Sequence, residues 1–445
     1  MRRAAIALLL LTPLASAQFV VPAGELDVVR RNFESRPGDE PLRCDVTPLA
    51  PSLNFAFRFQ AGYTFHVPQT WYPSSTRGWL VLTAITPERG EATYLLARTR
   101  LSEALRVGLD FDVRGAYFLG VGRYSVESTL LDGRNRVCRK QWQIVVGPAR
   151  AIRAIPFALP PDTVRPFTPA VSPDTQHQDS TAPMHLSVLL NAAAFSTLRT
   201  VIRPYDRGVL LGALTALLEH LPATSVHLVV FSLEQQREVF RSESFAPPGV
   251  DKAADAIRSL QLATVDVQVL QKPLGHVDFL ARLIARERDE PNPADTIVFL
   301  GPTSRYGDKI PEGVLPTPAE GSPHFFYLRY ESPHRPVFAP AAIPVVPTAD
   351  PGLGGGSTSP PPPLNGPAPQ NAAGGPHPPV PGQNSTAGGP GRVGGGGGAP
   401  AATSQAAEGQ TDVIAAAVGR MKGKTLTIHT PADLAKAIRR IEGRR

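Results

Sequence analysis

Apolar and polar residues alternate with a period of two over much of residues 42–147, which is the spacing of half-buried strands. Phe55, Phe57 and Phe59 fall on one face in this reading, as do Tyr63, Phe65 and Val67, then Trp79 and Val81, then Tyr124 and Val126. Asp132-Gly133 joins Arg123–Leu131 to Arg136–Val146 as a hairpin turn does. In the second of these strands Cys138, Trp142, Ile144 and Val146 share a face. Many short strands separated by turn signals predict a β-sandwich of immunoglobulin-like type.

Residues 148–183 carry repeated prolines without sustained periodicity and read as an extended linker. From Met184 the pattern changes. Apolar strands at Met184–Leu190, Ser225–Leu233, Asp295–Leu300 and His324–Tyr330 are interleaved with helical stripes. Asp206 reads as the cap of a helix whose stripe is Leu210, Leu214, Leu217 and Leu221. Arg237–Arg241 returns as a short edge, Asp251 opens a helix, and Val277, Leu280 and Ile284 mark another. Strands separated by helices predict right-handed crossovers and a doubly wound, mostly parallel, Rossmann-like α/β sheet covered on both faces.

The pattern stops at residues 348–410, a Pro/Gly-rich tract with too little apolar content to offset the entropy of ordering, and so predicted to be disordered. It resumes in 411–445 as helix, strand (Lys424–Thr430) and a final helix opened by Thr430-Pro431-Ala432-Asp433. The α/β domain is therefore expected over 184–347 and 411–445, interrupted by that tract.

Composition adds a compartment. Arg2 and Arg3, the apolar run Ala4–Leu11 and Ala15-Ser16-Ala17 form a secretory leader over residues 1–17, with cleavage expected between Ala17 and Gln18. Residues 18–41 follow as an N-terminal segment without a strong pattern. The two cysteines, Cys44 and Cys138, both lie in the first module and read as a disulfide in an oxidising compartment. Closing that loop stabilises by on the order of 4–5 kcal/mol in the chain-entropy model. Periplasmic or secreted localisation follows. The net charge of +7 is concentrated at the end, where eight Lys/Arg face three acids from Thr411 onward. Export argues against nucleic acid as partner and leaves an anionic envelope polymer as one use of that basic end.

The strand at His185–Leu190, the hairpin through Leu228–Ser232 and Arg237–Phe240, Ile297–Leu300 and the closing Gly423–Ile428 with Pro431–Ile438 resemble a von Willebrand factor A-type domain of exported bacterial proteins. The resemblance implies a metal-dependent adhesion site built from an Asp-x-Ser-x-Ser motif, a Thr from a second loop and an Asp from a third. Here those positions read Asn191, Ala193 and Phe195, then His276, then Gly301-Pro302-Thr303. A hard cation needs anionic oxygen, so no metal and no cofactor is expected. Ser196 and Thr197 offer hydroxyls if the register slips, and Asp308 is the nearest acid beyond the third loop.

No nucleophile elbow, zinc-protease motif or phosphate-binding glycine loop occurs. His276-x-Asp278 could orient a base, but Asp278 at a helix start more simply favours the N-terminal dipole. His177 and Asp179 read as solvated, and His185 and His227 as hydrogen-bonded sheet histidines. Trp71-Tyr72 could form a carbohydrate platform in a loop, whereas Trp142 reads as core. The expectation is a non-catalytic protein-binding or scaffolding protein, with Asn191, His276 and Thr303 at the ligand surface because open α/β sheets bind at the carboxyl ends of their strands. A structural envelope component and a cryptic hydrolase are the alternatives.

Overall fold

The computed structural model describes residues 18–34, 41–68, 78–99, 111–147, 155–167, 184–195, 201–246, 249–262, 269, 271–272, 274–289, 292–306, 310–315, 318, 321–331 and 411–443. Residues 1–17, expected to be a leader, and Trp71-Tyr72, His177, Asp179, Ser196, Thr197, Asp308 and the 348–410 tract lie outside the described residues.

Two antiparallel sheets form the first module. One has the order β1 (Phe19–Val20), β5 (Thr93–Thr99), β4 (Trp79–Pro87), β7 (Gly122–Leu131) and β8 (Val137–Val146). The other has the order β2 (Asp45–Leu53), β3 (Phe59–Val67), β6 (Phe111–Leu119) and β9 (Val164–Pro166). Their inner faces share one core, in which Tyr63 and Phe65 from one sheet meet Trp79, Val81 and Trp142 from the other. The predicted hairpin is present: five residues join Leu131 to Val137, and Asp132 Oδ1 accepts from the N–H groups of Arg134 and Arg136 at 2.9 Å. The left-handed residue of that turn is Asn135 rather than Gly133. Cys44 and Cys138 are disulfide-bonded with Cα atoms 6.2 Å apart, tying the entry of β2 to β8 and hence one sheet to the other. Two elements lacked a legible pattern. The first, β1, adds to β5; the second, α1 (Ala23–Asn32), follows it, and Leu26 and Val29 pack near Leu82 and Leu131.

The second module is a six-stranded sheet in the order β12 (Arg237–Ser242), β11 (Ala223–Ser232), β10 (Met184–Asn191), β13 (Thr296–Pro302), β15 (His324–Tyr330) and β17 (Lys424–Ile428). All neighbours pair in parallel except β12, which returns antiparallel as the edge hairpin. Numbered within the module this is 3-2-1-4-5-6, and the order reverses between β10 and β13. Helices α2 (Pro204–His220), α3 (Val250–Ser259) and α6 (Pro431–Glu442) cover one face, while α4 (Gly275–Arg288) and α5 (Val413–Arg420) cover the other. Local signals account for several boundaries. Thr430 and Asp433 close a reciprocal capping box on α6, and Asp412 Oδ1 caps α5 through the Ala415 N–H at 3.2 Å. Asp206 is not the cap expected for α2; Arg203 occupies that position with Pro204 next, and Asp206 sits buried in the first turn.

The chain leaves this sheet at Glu331 and is described again from β16 (Thr411–Asp412), which pairs with β14 (Arg305–Tyr306) as a separate two-stranded sheet before β17 rejoins the main one. Arg329 bonds Glu331 at 2.9 Å, bonds Thr427 Oγ1 at 2.9 Å and lies 3.9 Å from Asp412. The exit and the return of the insertion are thus held by one guanidinium.

Two expectations fail where the modules meet. Phe55 and Phe57 do not continue a strand with Phe59; residues 54–58 form a turn whose phenyl groups enter the core of the α/β module. Asn54 Oδ1 accepts from the N–H groups of Ala56 and Arg58 at 3.0 Å, which holds Phe57 at φ 54°. The supposed linker is also partly built. Within residues 155–167 Ile155 is buried in the α/β core, Phe157 packs against both cores, and β9 pairs with Tyr117–Leu119 of β6. Pro166 is tolerated there because an edge strand need not donate on its outer side.

The receiving surface is α2. Its first turn is exposed at Pro204, Tyr205 and Gly208, but Val209, Leu210, Leu211, Ala213, Leu214, Ala216 and Leu217 are all buried. An apolar stretch that runs round the helix must be covered on every side, and here the sheet covers one side and the turn another. Gly212 permits the approach, since a Cβ there would lie 3.2 Å from the Ala56 nitrogen. Arg58 donates to Glu219 at 2.5 Å, with side chains 6% and 2% exposed, and Phe57 packs on His220 with ring centroids 5.2 Å apart. Leaving either charge of a buried pair without its partner costs about 3–5 kcal/mol, whereas replacing both by apolar residues of similar volume is often neutral. Urea denaturation is therefore expected to show a loss of about 3–5 kcal/mol for Arg58→Met or for Glu219→Leu alone, with most of it recovered in the double variant.

Candidate functional site

The point where the strand order reverses lies between the carboxyl ends of β10 and β13, the place where doubly wound sheets bind ligands. Asn191 ends β10 there and is 1% exposed. Its Nδ2 donates to Ser304 Oγ at 2.8 Å and its Oδ1 accepts from the Leu233 N–H at 3.4 Å. The amide thus links the loops after β10, β11 and β13. Gly301 is required beside it, because a Cβ at that position would meet Asn191 Cβ at 2.8 Å.

His276 lies in the first turn of α4, 4% exposed. Its ring stacks flat on Tyr306, with centroids 4.1 Å apart and planes 13° from parallel. Burial pushes the Tyr306 phenol well above its ordinary value, and the charge of Glu234 adds to the shift. Thr303 is half-buried at the end of β13. The three residues expected at a ligand surface therefore occupy the same end of the sheet, but two of them are packed beneath it. Next to them in the chain, Glu234 in the β11–β12 turn, Arg237 at the start of β12 and Arg305 in β14 are exposed, and Thr303 and Tyr306 are half-buried.

Phe195 stands where the resemblance places a hydroxyl ligand. It packs edge-on against Tyr330 at 6.3 Å, and Tyr330 packs edge-on against Phe55 of the first module at 5.3 Å. Ala193 is buried as well. Phe195 thus backs the Tyr330 ring on which Phe55 of the first module packs. The sequence around Asn191 could not reveal this, because the contact runs through residues 55 and 330.

A carboxylate is nevertheless brought close, from beyond the insertion. Asp412 is pushed up by burial, against which act the Ala415 N–H, the Arg329 charge and the N–H groups of Ser304 and Ile414. Its Oδ1 caps α5, while its buried Oδ2 lies 3.9 Å from Arg329 Nη1 with no hydrogen-bond partner among the described residues. The donor set does not fit the metal that the resemblance implies: Asn191 turns an N–H toward Ser304, His276 lies against a ring, and Gly301-Pro302 supply no side-chain oxygen. Among the described residues no group of three His, Cys, Asp or Glu side chains could hold a metal ion.

Elsewhere, His185 Nδ1 lies 2.6 Å from Ser225 Oγ, Asp278 sits in the first turn of α4, and Trp142 is buried. Ser304, Tyr306 and Asp412 were missed from sequence because their relevance depends on the β14–β16 pairing. Comparison with known family models and with curated proteins finds no match.

Removing the Asn191 amide leaves the Ser304 hydroxyl and the Leu233 N–H without that partner. Asn191→Ala is expected to lose about 1–3 kcal/mol of stability. Millimolar Mg²⁺ or a chelator is expected to leave the melting temperature of the parent protein unchanged, since an ion that binds only the folded state would raise it.

Proposed function

We propose that this chain is a non-catalytic, exported protein-binding scaffold. In this reading its second module is a von Willebrand factor A-like domain that recognises its partner without a bridging ion, and its first module is an immunoglobulin-like sandwich fused to it. The observation that carries the reading is the closure of the carboxyl-end crevice by the chain's own side chains, through the Asn191–Ser304 bond and the His276–Tyr306 stack. A crevice filled in this way has little room for a small substrate. The half-buried and exposed rim of Thr303, Arg305, Tyr306, Glu234 and Arg237 offers a mixed-charge surface suited to another protein. Asn191 and His276 act here as positioning residues for that rim. Export is supported by the Cys44–Cys138 disulfide, a bond that persists in oxidising compartments. No helix among the described residues is long and apolar enough to cross a membrane.

A second reading, adhesion to an anionic envelope polymer, is favoured by the exposed Lys436, Arg439 and Arg440 on the outer side of α6. Capture of partners from the source envelope by the immobilised full chain separates the two. Protein binding on the rim predicts that Thr303→Arg lowers capture of an identified partner at least about tenfold, while chelator and Arg439→Glu/Arg440→Glu leave it intact. Chelator-sensitive capture would sink the metal-free reading. Salt-sensitive retention on envelope polymer that depends on Arg439 and Arg440 but not on Thr303 would favour the second.

A further inference from the structure

The first module carries a second polar constellation, on the side of the four-stranded sheet away from its core. Cross-strand register places Asp45, His66 and Asp112 in one row and Thr47, Thr64 and Arg114 in the next. Within this lattice Arg114 Nη2 donates to Asp112 Oδ2 at 3.0 Å, and His66 Nδ1 lies 2.7 Å from Asp112 Oδ1. His66 Nε2 lies 3.1 Å from Thr47 Oγ1. Burial raises the Asp112 carboxyl, but the hydrogen bonds and charges of Arg114 and His66 outweigh it and hold the group below the usual carboxylate range. His66 thus bridges Asp112 and Thr47, and the Thr47 hydroxyl keeps at least one lone pair for a guest whether it donates to Nε2 or accepts from it.

Beside this relay lies a hollow of about 580 Å³, at the stretch of β6 beyond the reach of β9, which pairs only with Tyr117–Leu119. Gln18 borders it, 7% exposed, with Nε2 donating to Tyr63 Oη at 3.2 Å. Gln18 Oε1 is buried and has no hydrogen-bond partner among the described residues, a condition that native structures relieve with a donor from water or ligand. Gly115 makes the arrangement possible, because a Cβ there would collide with the Tyr63 hydroxyl and lie 2.7 Å from Gln18 Nε2. Phe167 forms part of the rim, 44% exposed, and stacks against Phe118 at 5.1 Å.

We infer that this hollow binds a short neutral saccharide. Three features select that class. Acceptors (Gln18 Oε1 from the core side, Thr47 Oγ1 from the outer face) and donors (the Gln60 amide, the remaining Arg114 N–H groups) border the same hollow around the free edge of β6, and hydroxyl groups are the partners that satisfy both. Asp112 and Arg114 neutralise each other, so a charged guest gains little from either. The Phe167 ring supplies an apolar face for the C–H side of a pyranose, next to convergent polar groups. Thr47 and Gln18 bind the ligand, while His66 and Asp112 position Thr47.

The test uses the full chain with maltose, cellobiose and N,N′-diacetylchitobiose, read by saturation-transfer NMR and titration calorimetry. Saturable binding of at least one disaccharide is expected, weakened about tenfold by Thr47→Val, the loss of one hydrogen bond from a site otherwise unchanged in shape. An unchanged melting temperature of the variant would separate lost binding from lost fold, and His66→Gln is expected to weaken binding in the same direction. Absence of saturable binding to all three sugars would overturn the inference. So would binding indifferent to Thr47→Val, or a preference for arginine or citrate over every sugar.

Discussion

The buried pair of Arg58 and Glu219 is the interaction on which much of the architecture turns, because it dictates what surrounds α2. A guanidinium and a carboxylate removed from water hold together only with good geometry and further partners, and the turn at residues 54–58 supplies them with a scaffold. Asn54 organises the turn, Phe55 and Phe57 fill the space beside α2, and Gly212 lets the backbone approach. The result is a helix covered by its own sheet and by the neighbouring module. Two folds that could have been beads on a linker are instead built around shared side chains, with Ile155 and Phe157 completing the seam.

That seam reaches the carboxyl end of the α/β sheet. Phe195, one turn of loop beyond Asn191, joins Tyr330 and Phe55 in a line of edge-on rings. The loop after β10 is therefore occupied by packing. On the other side of the same end, Asn191, Ser304, His276 and Tyr306 fill the crevice with hydrogen bonding and stacking. These polar groups are spent on each other, which is the observation behind the proposed non-catalytic reading.

Much of this was legible in the residue pattern, and the remainder fails for identifiable reasons. The β10, β11, β13 and β15 strands follow from apolar runs bounded by helices, the α6 start from Thr430 and Asp433, and the disulfide from an isolated pair of cysteines. Phe55 and Phe57 misled because a period of two describes a strand and an inserting turn equally well. The apolar middle of α2, with Leu211 and Ala216 outside the predicted stripe, is the signal that something covers its outer side. Ser304, Tyr306 and Asp412 could not be anticipated, since the β14–β16 pairing spans more than a hundred residues of chain. The Thr47–His66–Asp112 relay likewise depends on strand register, which alternation alone does not supply.

Native-state amide hydrogen exchange of the full chain tests most directly whether the two modules form one cooperative body through the 54–58 turn. The turn is expected to exchange as slowly as the buried centre of α2, and Arg58→Met is expected to lower protection of both together. A turn that exchanges like unprotected chain while α2 stays protected, in the parent and the variant alike, would contradict a shared core.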